Sequence, residues 1–101
     1  MRITEAWLTK HGACAYRVAK FTAIWPDGAE LTEANLLEAA DADLPLDWLA
    51  RRLPIWEEYE RQEAPIRAKY ERQEAQTWEE YERHLARLIW RVWQSQEEAK
   101  T

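Results

Sequence analysis

Tyr59, Tyr70 and Tyr81 fall eleven residues apart, and each is followed by Glu-Arg and, five residues on, by Ala. The windows are Tyr59-Glu60-Arg61-Gln62-Glu63-Ala64, Tyr70-Glu71-Arg72-Gln73-Glu74-Ala75 and Tyr81-Glu82-Arg83-His84-Leu85-Ala86. Upstream, Leu53-Pro54-Ile55-Trp56, Ala64-Pro65-Ile66-Arg67, Ala75-Gln76-Thr77-Trp78 and Arg87-Leu88-Ile89-Trp90 keep the same register. Eleven residues make three α-helical turns at about 3.67 residues each, so a side chain recurring at that spacing keeps to one side of a rod. The C-terminal half is therefore expected to be a helical arm that presents a surface, with nothing resembling a catalytic pocket.

Composition agrees with an all-α chain. Charged residues make up 33% of the 101 positions, and Gly12 and Gly28 are the only glycines, which favours helix over a turn-rich β fold. This length suits one domain, or a small module with an appendage; we read 1–53 as a small helical module and 54–101 as the arm. Seven tryptophans demand burial somewhere, because Trp serves cores and interface anchors alike. Cys14 stands alone, which rules out an internal disulfide and suits a reducing compartment. Met1-Arg2 leads into a polar helix without an apolar h-region, and no apolar run approaches about eighteen residues. A cytoplasmic protein without membrane contact is expected.

Four short helices are expected in the first half. Thr4 fits an N-cap, Ile3 and Leu8 stand at staple positions and Gly12 fits the stop of a first helix over Thr4 to His11. Cys14, Val18, Phe21 and Trp25 form one apolar stripe of a second helix, closed by Pro26-Asp27-Gly28. Thr32 caps a third helix, and Asp47 is the candidate cap of a fourth over Trp48 to Leu53. Trp7, Leu8, Val18, Phe21, Trp25, Leu36, Leu37, Trp48 and Leu49 are the expected core, with Cys14 a small buried apolar residue. About fifty residues on that core alone are marginal, so help from the arm or from a partner is expected, with the four helices packed on the arm.

Pro54 suits the first position of the arm helix, whereas Pro65 removes a hydrogen bond in mid-helix. Two paths follow: one Pro-kinked helix of about 43 residues, near 65 Å long, or a reversal at Pro65. Without Gly, Asn or Asp near residue 64, the long kinked helix is the expected path. Ile55, Tyr59, Ile66, Tyr70, Tyr81, Leu88 and Val92 lie along its stripe, with Thr77 the polar exception. Leu85, Leu88, Ile89, Trp90, Val92 and Trp93 cover most of the circumference near the C-terminus, and such a helix must be buried. Glu57–Arg61, Glu63–Arg67 and Glu79–Arg83 are candidate i, i+4 ion pairs.

Signals of catalysis are sparse. Ser95, the sole serine, lies in the polar tail, and no Gly-rich phosphate loop exists. His11 and Cys14 have an H-x-x-C spacing, but only His84 and carboxylates could complete a zinc site, which needs four placed ligands. No catalytic residue, metal or cofactor is assigned. The net charge of −5 argues against nucleic-acid binding, which rests on neutralising phosphates; Arg83, Arg87 and Arg91 with Trp90 and Trp93 give the one local argument for it.

An interaction surface has the stronger case. Between Lys20 and Arg51 there is no basic residue, yet Asp27, Glu30, Glu33, Glu38, Asp41, Asp43 and Asp47 lie there, a candidate patch for another protein with a basic surface. Trp56, Tyr59 and Tyr70, on a charged helix, have the composition of binding anchors, whereas Tyr81 and Trp78 are assigned to packing within the chain. The alternative is a structural protein, a homodimer for example, whose arms pair through the eleven-residue stripe.

Trp7-Leu8-Thr9-Lys10-His11-Gly12-Ala13-Cys14, Phe21, Trp25-Pro26-Asp27-Gly28, Leu31-Thr32 and Asp47-Trp48-Leu49-Ala50-Arg51-Arg52 together resemble a helical module of small phage and bacterial proteins. In several of these, Tyr-Glu-Arg segments preceded by Ala-Pro follow the module. The resemblance implies a helical fold and a mobile-element setting, and no catalytic residues. Small acidic phage proteins include anti-CRISPR proteins, so the expected function is a non-enzymatic inhibitor of a host protein, such as a CRISPR effector subunit.

Overall fold

A computed structural model describes residues 1–72 and 78–99. The chain runs β1 (Arg2–Ile3), α1 (Glu5–Lys10), α2 (Ala15–Ile24), β2 (Ala29–Glu30), α3 (Glu33–Asp41), α4 (Leu46–Arg52), α5 (Trp56–Arg72) and α6 (Trp78–Ala99). It is predominantly helical, and the only strands among the described residues are the short antiparallel pair β1–β2, with Arg2 opposite Glu30 and Ile3 opposite Ala29. No described helix is long and apolar enough to cross a membrane.

Local chemistry starts and stops the N-terminal helices. The Thr4 hydroxyl accepts from Trp7 N–H at 3.1 Å, and Thr32 accepts from Asn35 N–H at 3.1 Å, so each satisfies one of a helix's unpaired first-turn donors. Gly12 follows the end of α1 at φ 85°. Gly28 has φ 91°, and a Cβ there would sit 2.8 Å from the carbonyl oxygen of Ile3, so glycine is what lets β2 lie against β1. Two expectations change. Cys14 precedes α2 as its N-cap residue and is exposed, because the apolar stripe is carried by Phe21 and Val18 further along. The fourth helix begins at Leu46 after Pro45, so Asp47 lies in its first turn and its carboxylate is free to bond elsewhere.

The arm is two helices, not one. Pro65 lies inside α5, and the chain does not reverse there. Instead α5 and α6 run antiparallel: Arg91 reaches Gln62 at 3.2 Å, and Tyr70 meets His84 at 3.4 Å. A rod of about 65 Å would far exceed the molecule, whose longest extent is 38 Å. The physical reason is burial. The apolar end of α6 needs cover on several sides, and folding back supplies it from α3, α4 and α5. Pro65 is tolerated because it and Arg61, whose carbonyl loses its partner, are both exposed. Helix α5 starts at Trp56, so Pro54 precedes the arm helix instead of opening it. Thr77, with the repeat register of 73–77, lies outside the described residues.

Helix α6 is the centre of the main core. Leu85, Ala86, Leu88, Ile89 and Val92 are buried there with Leu36, Ala40, Leu46, Ala50, Leu53, Ile55 and Tyr59. A smaller cluster of Ile3, Leu8, Phe21, Ala29 and Leu44 holds α1 and α2. Of the residues expected in the core, Leu8, Phe21 and Leu36 are buried, while Trp7, Val18, Trp25, Leu37, Trp48 and Leu49 are half-buried around the two clusters.

Candidate functional site

The α3–α4 turn carries acids into the molecule. Asp43 has φ 60°, a left-handed conformation that Asp adopts more readily than most residues. Its N–H bonds to Ala40 O and the N–H of Leu44 to Ala39 O, each at 3.0 Å. That tight turn sets Asp43 and Asp47 beside α6, where Glu82 sits with 7% of its surface exposed. Glu82 Oε2 is buried and has no hydrogen-bond partner among the described residues. Burial first, and then the charges of Asp43 and Asp47, push its pKa up to about 7.

The tyrosine register becomes a seam of phenols. Tyr59 is fully buried and donates to Asp47 Oδ1 at 2.8 Å. Tyr81 donates to Glu63 Oε1, and Arg67 closes on Glu63 at 2.8 Å. Burial, assisted by these acid partners, raises both phenols above their ordinary pKa. Glu63, only 2% exposed, thus has both a phenol and a guanidinium. Tyr70 stands edge-on to Tyr81, ring centroids 5.3 Å apart. Between these groups and the α3–α4 turn lies a cleft of about 580 Å³, lined by Asp43, Asp47, Glu82, Tyr70, Tyr81 and Trp78, with Arg17, Arg67 and Glu71 also facing it.

This geometry redraws the expected interaction surface. Tyr59 is no anchor, because it is spent in the core. Trp56 is half-buried against Tyr59 and lies under the Arg51 guanidinium at 5.0 Å. Tyr70 is half-buried on the cleft wall. Trp78, expected to pack within the chain, meets the Tyr81 ring at 5.4 Å between centroids but is 65% exposed at the rim. Among the acids, Glu30 pairs with Arg2 at 3.0 Å, Asp41 with Arg83 at 2.7 Å, and Asp47 serves Tyr59. Asp27, Glu33, Glu38 and Asp43 are exposed, and their carboxylates form no ion pair with a described residue. Sequence reasoning missed Glu82, since nothing local separates it from the many glutamates around it.

Two of the expected ion pairs form differently: Arg61 meets Glu58 at 2.6 Å, and Arg83 reaches across to Asp41 on α3. Two arginines of the ridge are engaged, Arg83 on Asp41 and Arg91 on Gln62, while Arg87 is exposed. Trp90 and Trp93 pack against the main core and are not free platforms for bases. His84 beneath the ridge has a lowered pKa, from burial first and then the charges of Arg91, Lys69 and Arg87. Among the described residues no cluster of His, Cys, Asp or Glu could hold a metal ion. No protein-family model, curated protein or solved structure matches this chain.

Proposed function

We propose that this is a non-enzymatic binding protein that docks an acidic face on a basic surface of a host protein and blocks it, as a phage-type inhibitor of a CRISPR effector complex would. The observation that carries this reading is the set of exposed, unpaired acids Asp27, Glu33, Glu38 and Asp43 on α3 and its flanks, within a stretch free of Lys and Arg from 21 to 50. Such an excess of exposed acids raises the association rate with a basic partner and makes it sensitive to salt. It also opposes direct phosphate contact, which needs the other sign. Self-pairing through the eleven-residue stripe has less support, because Ile55, Tyr59, Leu88 and Val92 are buried within one chain.

The test is a titration of purified CRISPR effector nucleoproteins, with target-DNA binding and the association rate as readouts. The intact protein is expected to bind one such complex and exclude DNA. Combined Glu33→Lys, Glu38→Lys and Asp27→Lys substitutions are expected to slow association about tenfold or more at low salt. Binding that ignores both the substitutions and the ionic strength would overturn the role of this face.

A further inference from the structure

Glu82 makes the cleft more than a concentration of acids. The residue is 7% exposed, and its buried Oε2 has no donor among the described residues. An orphaned buried acceptor is rare and unfavourable. Asp43 adds a second carboxylate with no ion pair, and Asp47 has its Oδ1 taken by Tyr59. Of the cations facing the cleft, Arg67 is held by Glu63, and Arg17 forms no ion pair with a described residue. The walls are aromatic, from Tyr70, Tyr81 and the exposed Trp78. A group that fits must donate several hydrogen bonds, carry positive charge and present a flat face to rings. Guanidinium has all three properties, whereas ammonium lacks the planar face.

We propose that the cleft receives an arginine side chain of the partner protein, its guanidinium donating to the Asp43 carboxylate and, by a turn of the Glu82 side chain that brings its buried oxygen to the cleft, to Glu82, while lying against the aromatic wall. This rests on the basic partner proposed above and names the contact that would anchor it. The pocket and the acidic face are separable by experiment. The probe is a short capped peptide, acetyl-Gly-Arg-Gly-amide, titrated at pH 7.5 against the intact protein and followed by NMR at the Trp78 indole N–H and the Glu82 carboxylate. Lysine and citrulline peptides are run in parallel. The arginine peptide is expected to shift both signals and to lower the Glu82 titration midpoint from about 7. Glu82→Gln is expected to weaken it about tenfold or more, and Glu33→Lys with Glu38→Lys to leave it unchanged. Equal binding of citrulline, unchanged affinity in Glu82→Gln, or shifts away from the cleft would each overturn the proposal; equal binding of lysine would overturn the guanidinium assignment. If the peptide does not bind while the acidic face still steers association with an effector complex, the pocket fails and the docking reading stands. The reverse pattern removes the docking face and leaves the pocket.

Discussion

Glu82 ionises against its surroundings, and the sign of the effect is fixed by the direction of its shift. Burial, with Asp43 and Asp47 nearby, raises its pKa from the ordinary 4.5 to about 7. Below pH 4.5 it is protonated in folded and unfolded chains alike, and its burial carries no charge penalty. Between pH 4.5 and 7 the unfolded chain ionises first, so stability falls as pH rises; above pH 7 the loss is complete, at roughly 3 kcal/mol. Glu82→Gln removes that term. It is expected to raise the unfolding free energy by about 2 kcal/mol at pH 8 and to change it little at pH 4, by urea denaturation at both values. Equal effects at the two pH values would mean that Glu82 is not the titrating group. Little of this was readable from residue order. Thr4 and Thr32 announce themselves because a cap acts on a neighbour three positions away. Asp47 and Glu82 take their roles from Tyr59 and from the α3–α6 contact, which no local pattern encodes.

The eleven-residue period reports azimuth and leaves the path of the chain open. It holds Tyr59 and Tyr70 on one side of α5 and gives Tyr81 the same register on α6, but an interrupted helix satisfies it as well as a continuous one. The sequence from Gln73 to Thr77 contains no Gly, Pro or Asn, so residue order carries no signal that α5 and α6 lie antiparallel. Pro65 drew attention instead, and it lies inside α5. A proline in a helix interior is roughly 3 kcal/mol less favourable than alanine in a host helix, partly relieved where the freed carbonyl meets water. With Pro65 exposed, Pro65→Ala is expected to stabilise the protein by about 1–2 kcal/mol, a rise of roughly 4–16 °C in Tm for a domain of this size. Thermal unfolding followed by circular dichroism reads this directly. A lower Tm would show that proline at this position supports the seam of Glu63, Tyr81 and Arg67.

At the scale of the molecule, burial is unevenly shared. Helix α6 has Leu88 and Ile89 fully buried and is covered by α3, α4 and α5. The α1–α2 pair is held by the smaller cluster of Ile3, Leu8, Phe21, Ala29 and Leu44 and by the short β1–β2 ribbon. Between that pair and the α3–α4 layer lies an apolar groove of about 300 Å³, open to solvent and lined by residues such as Leu8, Phe21, Leu44, Trp48 and Leu49. Apolar side chains along it keep part of their surface in water, so this layer is held less firmly than the α6 core. Opening it would expose one small cluster, whereas exposing α6 requires most of the main core to come apart. Amide protection should follow that difference. Native-state hydrogen exchange is expected to show the amides of residues 85–92 exchanging only through global unfolding. Amides of α1 and α2 should exchange through a lower-energy opening that mild urea barely affects. If both regions exchange with the same free energy, the molecule is one cooperative unit, and the groove carries no mechanical meaning.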